Sequence, residues 1–427
     1  MKFTAVGDIL IQKNFPGEYE GFKAIQDYIG QGDFKFYNLE TTLNNGEFYA
    51  SQFCGGSYLR MTPTVLNDLK KFGFNVTNIC NNHSMDFSYE GLVHTKEEIE
   101  KAGFIQAGVG NNLAEAAAPA YLDTLNGRIA LIGVTSSFYA PARAGEQSRR
   151  IKGRPGINGM RYDEVYEVSQ NDMEQLQRIA ELTQINGRNN VRRNEGYLES
   201  VPDGYFDFKD LRFVVGDNPG RKSYLDENDM ARIEKSIYEA QLQADYIVIS
   251  IHSHQMRNGV KEESDFFIEQ FARRCIDLGV HAVIGHGPHL LRGIEIYKNR
   301  PIFYSLGNFI FHNENIPYAP EEFYATYGLK SDATMHELFK TRSKDFTRGL
   351  QTKKEMFEAF IPYWEMEDGK LLSLELLPVE LGFGQKRSVN GWPKIDTETG
   401  SLERLKRLSE PYGTKIEIVN GKGIVKL

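Results

Sequence analysis

Residues 75–86 read NVTNICNNHSMD. Asn75–Cys80 has the β-branched, apolar character of a buried strand, and the chain then turns polar at Asn81-Asn82-His83. The same juxtaposition recurs along the sequence. Asp8 follows FTAVG, Glu40 follows FKFYNL, His252 and His254 follow the run YIVIS, and His286 and His289 sit in VIGHGPHLL. In an open α/β sheet the carboxyl ends of the strands line the ligand crevice, so these five clusters are expected to converge. Taken singly, an aspartate after glycine is a turn residue and a histidine is structural. The joint occurrence carries the signal, because five of the nine histidines fall at predicted strand ends. His94, His281, His312 and His336 fall elsewhere.

Outward from these clusters, the first 140 residues alternate short apolar runs with helix-period segments, the pattern of α/β layering. Strands are predicted at Phe3–Leu10, Phe34–Glu40, Asn75–Cys80 and Arg128–Thr135. Helices are predicted at Gly21–Ile29, Pro63–Phe72 and Tyr89–Lys101, the second opened by Thr62 as N-cap with Pro63 in its first position. The pattern resumes after residue 225 with a helix at Glu227–Leu242, a strand at Tyr246–Ile251, a helix at Ser264–Leu278, and strands at His281–Gly285 and Pro301–Tyr304. Residues 141–225 interrupt it with one helix (Asp163–Ile185) between loop-like stretches. An excursion of that length reads as a lid or substrate-binding insertion. Beyond residue 312, strands at Phe357–Met366 and Lys370–Val379, a helix at Ser401–Arg407 and a hairpin at Asn420-Gly421 read as an antiparallel appendage.

Composition bounds the class. With 427 residues, 41% hydrophobic and 25% charged, the chain is a globular protein of more than one domain. Its 40 glycines and 15 prolines exclude collagen-like and low-complexity classes. Fifty basic against fifty-eight acidic residues give a net charge of −8, which argues against nucleic acid as a partner. Cys54, Cys80 and Cys275 make no disulfide framework and read as thiols of a reducing compartment. No apolar run reaches the roughly 18 residues of a membrane span, so no membrane insertion is expected. MKFTAVGDIL holds no secretory apolar region, and the expected location is the cytoplasm. A homo-oligomer is left open.

The residues GDIL, NLE, NNHSMD, IHSH, GHGPHLLRG and YSLGNFIF, in this order, resemble the CapA family, named for poly-γ-glutamate capsule synthesis. The resemblance covers about residues 1–312. It implies an α/β fold of the calcineurin-like metallophosphatase type, a four-layer αββα sandwich, here with the helical and loop insertion 141–225 and a β-rich appendage at 313–427. It also implies a dinuclear ligand set. Asp8 matches the first aspartate, Glu40 the bridging carboxylate and Asn82 the asparagine ligand. His83 matches the histidine that protonates or orients the leaving group. His254, with His252 as its alternate, and then His286 and His289 match the late histidine ligands. Two cations roughly 3.5–4 Å apart need such a bridging carboxylate and several N and O ligands. Departures are plain: the usual Asp-x-His reads Asp8-Ile9-Leu10, the bridge is a glutamate, Ser84 stands where an acid is usual, and the last motif is His-Gly-Pro-His. Two divalent ions (Mn, Zn or Fe), one, or none are all compatible with that pattern.

Without metal, His83 and a late histidine (His254 or His286) could act as acid and base at neutral pH. One would take a proton from a peptide Cα and the other return it, with Asn82, Asn81 and the GHG turn stabilising the enolate. That is a cofactor-independent epimerase, an activity the CapA-like family also includes. A binding subunit without catalysis is the third reading. The expected substrate is a peptide or anionic polymer. Arg143, Arg149, Arg150, Lys152, Arg154 and Arg161 reverse the sign of the chain locally, and arginine forks suit carboxylates or phosphates. Arg257 and Arg292 lie near the late histidines in sequence, and with Arg154, Asn81, His252 and His289 they are the candidate substrate contacts. Asp86 reads as a cap of the following helix, with partnership to His83 as its other reading. The aromatics of Tyr304–Phe311 read as core, and Asn308 as a residue able to face the cleft.

Overall fold

The computed structural model describes residues 1–312, 314–330 and 332–427. Two large sheets dominate it. The first runs, strand by neighbouring strand, Lys415–Val419, Lys422–Lys426, Lys370–Glu380, Glu358–Glu367, Lys2–Leu10, Phe34–Leu39, Val76–Asn78 and Ile105–Ala107. Asn308–Phe311 also pairs with Lys2–Leu10. The second runs Ile294–Tyr297, Arg300–Phe303, Ala282–His286, Tyr246–His252, Gly127–Thr135 and Ala120–Thr124. The central strands of both are parallel and joined through helices, as their near-continuous apolar sequences require.

One apolar cluster contains residues of both sheets: Phe3, Phe34, Phe36 and Val76 from the first, Leu131, Val248, Ile284 and Phe303 from the second. Trp364 is central to it, its ring stacked 5.0 Å from Phe3 and tilted 5.3 Å from Phe303. The other face of the first sheet is covered by Phe22–Ile29, Val65–Lys71 and Ser88–Lys101 through Ile25, Ile29, Leu66, Leu69, Leu92 and Ile99. The other face of the second is covered by Glu227–Gln243 and Phe266–Asp277 through Ile233, Ile237, Phe267 and Phe271. The molecule is therefore a mixed α/β protein with several sheets.

Register positions the site. Asp8 lies opposite Asn38, and Asn38 opposite Asn78, across neighbouring parallel strands. In the second sheet His252 lies opposite both His286 and Thr135. The carboxyl ends of strands in both sheets thus terminate together. Close backbone approach helps: a Cβ on Gly7 would lie 1.9 Å from the Gly307 carbonyl oxygen, so only glycine lets the two strands meet there.

Local expectations change in three places. Thr62 does not cap a helix: its hydroxyl bonds the Thr64 hydroxyl, and the helix begins at Val65 with Thr64 as an N-cap that makes no side-chain bond. The predicted helix Asp163–Ile185 is a strand, Tyr162–Val168, followed by the helix Gln170–Thr183 that Ser169 caps. YDEVYEV alternates large and acidic residues, the period of a strand, and its acidic positions imitate the polar face of a helix. The supposed loops nearby hold the helix Gly187–Asn194 and the strand Tyr205–Phe208, and the insertion builds its own four-stranded sheet. The tail from Glu358 onward extends the first sheet, its strand Glu358–Glu367 running antiparallel to Lys2–Leu10. Among the described residues no helix is long and apolar enough to cross a membrane.

Candidate metal centre

The strand ends bring Asp8, Glu40, His83, His252, His254, His286 and His289 into one buried cleft. Asp8 is fully buried. Its Oδ1 accepts from Asn38 Nδ2 at 2.8 Å and its Oδ2 from the Gly287 backbone N–H at 2.9 Å. Burial pushes this carboxyl up to about 7, against the opposing effect of those two hydrogen bonds. His286 Nδ1 and His252 Nδ1 stand 3.6 and 3.8 Å from Asp8 Oδ1, and 3.0 Å from each other. Ser250, one inward-facing position before His252 on the same strand, holds His286 Nε2 at 2.6 Å, leaving Nδ1 for the cleft.

The second group centres on Glu40. Its Oε1 lies 3.6 Å from His252 Nε2, 3.7 Å from His289 Nε2 and 3.9 Å from His83 Nε2. His254 Nε2 is 3.2 Å from His252 Nε2. Ligand-capable atoms of Asp8, His252 and His286 all lie within 4.8 Å of one another, and so do those of Glu40, His254 and His289. Glu40 is fully buried, and among the described residues no N–H or hydroxyl group donates to either of its carboxylate oxygens, its carboxyl neighbour being Asp8. Burial, with the nearby charge of Asp8, raises its pKa well above the usual range. Burial likewise drives the imidazoles to their neutral forms: His286 and His289 fall to about 3, and His252 and His254 fall well below the ordinary value, helped by the neighbouring imidazoles.

Hydrogen bonds behind these side chains fix which nitrogen faces inward. His289 Nδ1 meets Asn308 Oδ1 at 3.0 Å, which directs Nε2 at Glu40. The His-Gly-Pro-His turn that carries it has positive φ at Gly287 (116°) and at His289 itself (64°). A Cβ on Gly287 would lie 2.9 Å from the Ser253 nitrogen, so the turn depends on that glycine. His83 Nδ1 meets Asp86 Oδ2 at 2.7 Å, and Asp86 also accepts from the backbone of Gly55 (3.0 Å) and Leu59 (2.8 Å). Asp86 is therefore the partner of His83 and not a helix cap, since Phe87 precedes the helix. Asn82 donates to the Gly55 carbonyl at 2.9 Å and leaves its own buried Oδ1 without a donor. A carboxylate and an amide oxygen without donors among the described residues, together with neutral imidazoles, are groups able to ligate a divalent cation.

Residues 2–313 match the family model described as bacterial capsule synthesis protein PGA_cap. The chain belongs to the PGA_cap family. It is 32% identical to the uncharacterized protein y4sH of Sinorhizobium fredii (strain NBRC 101917 / NGR234), over 99% of this chain and 92% of that one. It is 23% identical to the PGA biosynthesis protein CapA of Bacillus subtilis (strain 168), over 86% of this chain and 80% of that one. Among solved structures, a Staphylococcus aureus protein described as a candidate 5′-nucleotidase in complex with alpha-ketoglutarate overlaps 96% of this chain and 58% of its own, with 11% identity and a TM-score of 0.37.

Within this PGA_cap chain, not every sequence-predicted contact reaches the cleft. Asn81 acts behind the cleft: it accepts from His83 N and donates to the Leu39 carbonyl and, at 3.4 Å, to Asn38 Oδ1. Arg292 is buried and braces the chain after His254, donating to the carbonyls of Gln255 and Lys261. Arg257 pairs with Glu269 at 2.8 Å and stacks on Phe266. Arg154 donates to the Arg143 carbonyl, and Arg143, Arg161 and Arg232 converge on the buried Asp229. Of the insertion's arginines, Arg143 and Arg161 thus neutralise an internal acid. His252 is not an alternate to His254; each joins a different group. Sequence reasoning missed Asn38 and Ser250, although each sits two residues before a site residue on the same strand face, a spacing that the strand period could have exposed.

Proposed function

We propose that the cleft is a divalent-metal centre that hydrolyses or transfers at a bond of a peptide or poly-γ-glutamyl substrate, within the family's role in capsule synthesis. The observation that carries this reading is Glu40: a buried carboxylate with no N–H or hydroxyl donor among the described residues, surrounded by imidazole nitrogens at 3.6–3.9 Å. Asp8, His252 and His286 would hold one cation, and Glu40, Asn82, His254 and His289 a second. Such cations, when bound, polarise a carbonyl or phosphoryl oxygen and acidify water. The usual Asp-x-His histidine is replaced by Leu10, but His252 and His254 both enter from another strand, which makes up the ligand count. Asp86 accepts from His83 Nδ1 and so keeps Nε2 for proton transfer with the substrate. The two sheets with helices on their outer faces support the four-layer sandwich of the calcineurin-like type.

A metal-independent Cα epimerase is the second reading, favoured by two imidazole nitrogens, His83 Nε2 and His289 Nε2, within 3.9 and 3.7 Å of Glu40 Oε1 in one cleft. Elemental analysis separates the two. Protein purified without chelator is expected to carry more than one equivalent of Mn, Zn or Fe, falling sharply in His254→Ala. A content below roughly a tenth of an equivalent, with no gain on adding Mn or Zn, overturns the metal centre. Deuterium incorporation at an inverted Cα by chelated protein in D₂O selects the epimerase instead.

A further inference from the structure

Beside the metal centre lies a cavity of about 700 Å³, between the strand Val260–Ser264 and the segment 339–356. That is the size of a site for a short peptide. Its floor is apolar, from Leu290, Phe339, Leu350 and Met356. Its rim carries Lys261, Arg342, Arg348 and Lys353. None of these four cations has a carboxylate within ion-pair distance among the described residues. Among the described residues Arg342 bonds the Gly56 carbonyl and the Ser57 hydroxyl, and its charge also acts on Glu314, the acid already paired with Arg387. Three acids also line the cavity: Glu314 is paired with Arg387 and Glu355 with Arg404, both outside it, while Glu262 adjoins Lys261 and its charge acts on that ammonium. In a chain of net charge −8, four cations against three acids, two of which pair with arginines outside the cavity, give a local excess of positive charge.

The cavity is joined to the cleft by shared residues. Leu290 follows His289, and the Met356 carbonyl accepts from Asn308 Nδ2, whose Oδ1 meets His289. Arg342 holds Gly56 and Ser57, which follow the Gly55 packed on the His83 ring.

We infer that this cavity is the subsite for an acidic peptide chain, whose successive carboxylates meet Lys261, Arg342, Arg348 and Lys353 while its reacting bond enters the histidine cleft. The inference rests on the peptide or glutamyl reading of that cleft and names where such a chain is held. Arginine forks and lysine ammonium groups suit carboxylates, and the apolar floor takes the methylenes of a glutamyl side chain.

The probe is a fluorescent five-residue glutamate oligomer, γ-linked in one arm and α-linked in another, with a glutamine oligomer of equal length as neutral control. Anisotropy is read on chelated and on Mn-loaded protein. Binding of a glutamate oligomer, weakened by salt and about ten- to hundredfold weaker in each of Lys261→Ala and Lys353→Ala, supports the subsite. Preference for the γ linkage assigns it to poly-γ-glutamyl chains; equal binding of both linkages assigns it to acidic peptides generally. Equal binding of the glutamine oligomer, no binding of either glutamate oligomer, or variants that bind as the wild type and melt at the same temperature each overturn it. Binding that persists in chelated protein lacking any capacity for metal keeps the subsite while removing the metal centre.

Discussion

Glu40→Gln tests the site through stability, with no substrate needed. In chelated protein Glu40 is a buried carboxyl with two partnerless oxygens, and burial together with Asp8 disfavours its ionisation. Leaving a buried polar group unsatisfied costs about 1–3 kcal/mol. Replacing it by the neutral amide of the same shape is therefore expected to leave chelated protein at least as stable as the wild type. With metal the order reverses. A cation at 100 to 1,000 times its dissociation constant stabilises the folded state by about 2.7–4.1 kcal/mol. At about 2.1 cal/mol/K per residue, the unfolding entropy of 427 residues is roughly 0.9 kcal/mol/K, so the wild type should gain about 3–5 °C. Glu40→Gln should lose most of that gain. The assay is scanning calorimetry of chelated protein titrated with Mn²⁺ or Zn²⁺. An equal metal-induced shift in both proteins would falsify the reasoning, as would a chelated variant several degrees less stable than the wild type.

Four further outcomes are expected. Asp86→Asn removes the carboxylate that holds His83 Nδ1, and ¹⁵N NMR should show a changed imidazole tautomer, with activity or metal affinity down about ten- to hundredfold. Gly55→Ala places a Cβ 2.6 Å from Asn82 Nδ2 and 2.7 Å from the His83 ring, so metal uptake should fall with little change in Tm; unchanged uptake would remove Asn82 from the ligand set. Burial opposes the ionisation of Asp229, but hydrogen bonds from Arg161 and then Arg232 outweigh it and hold its pKa below the ordinary value. Its contribution is present above the unfolded pKa of about 4 and lost as pH falls; Asp229→Asn should therefore cost about 3–5 kcal/mol at pH 7 by urea titration and flatten the stability profile below pH 4. Trp364→Ala should cost about 3–5 kcal/mol, because that ring packs on Phe3 and Phe303 at once; a cost under about 1 kcal/mol would detach the C-terminal strands from the core.

Much of the site was legible because strands announce themselves by apolar runs that stop at polar residues. Asp8, Glu40, His83, His252, His254, His286 and His289 were all found this way. The partners of Arg257, Arg292 and Arg154 were not legible, because proximity along the chain says nothing about which carboxylate or carbonyl a long side chain will meet. The strand Tyr162–Val168 was hidden because acidic residues on its exposed face imitate a polar helix. Asp86 carried two readings in sequence, and the 2.7 Å contact to His83 selects one of them.

The sequence by itself determined the α/β pattern, the strand ends and the identities of the metal-competent side chains, because those depend on local period and on residue chemistry. Tertiary structure alone decided how they are shared out. Parallel register places His252 opposite His286 and next to Asp8, whereas His254, two residues on, joins Glu40 and His289. It also decided that Glu40 would be buried without an N–H or hydroxyl donor among the described residues and that four cations would gather beside the cleft in excess of the acids around them. Those are properties of which groups are excluded from water together, and no linear pattern encodes them, since the residues concerned come from both sheets and from segments hundreds of positions apart.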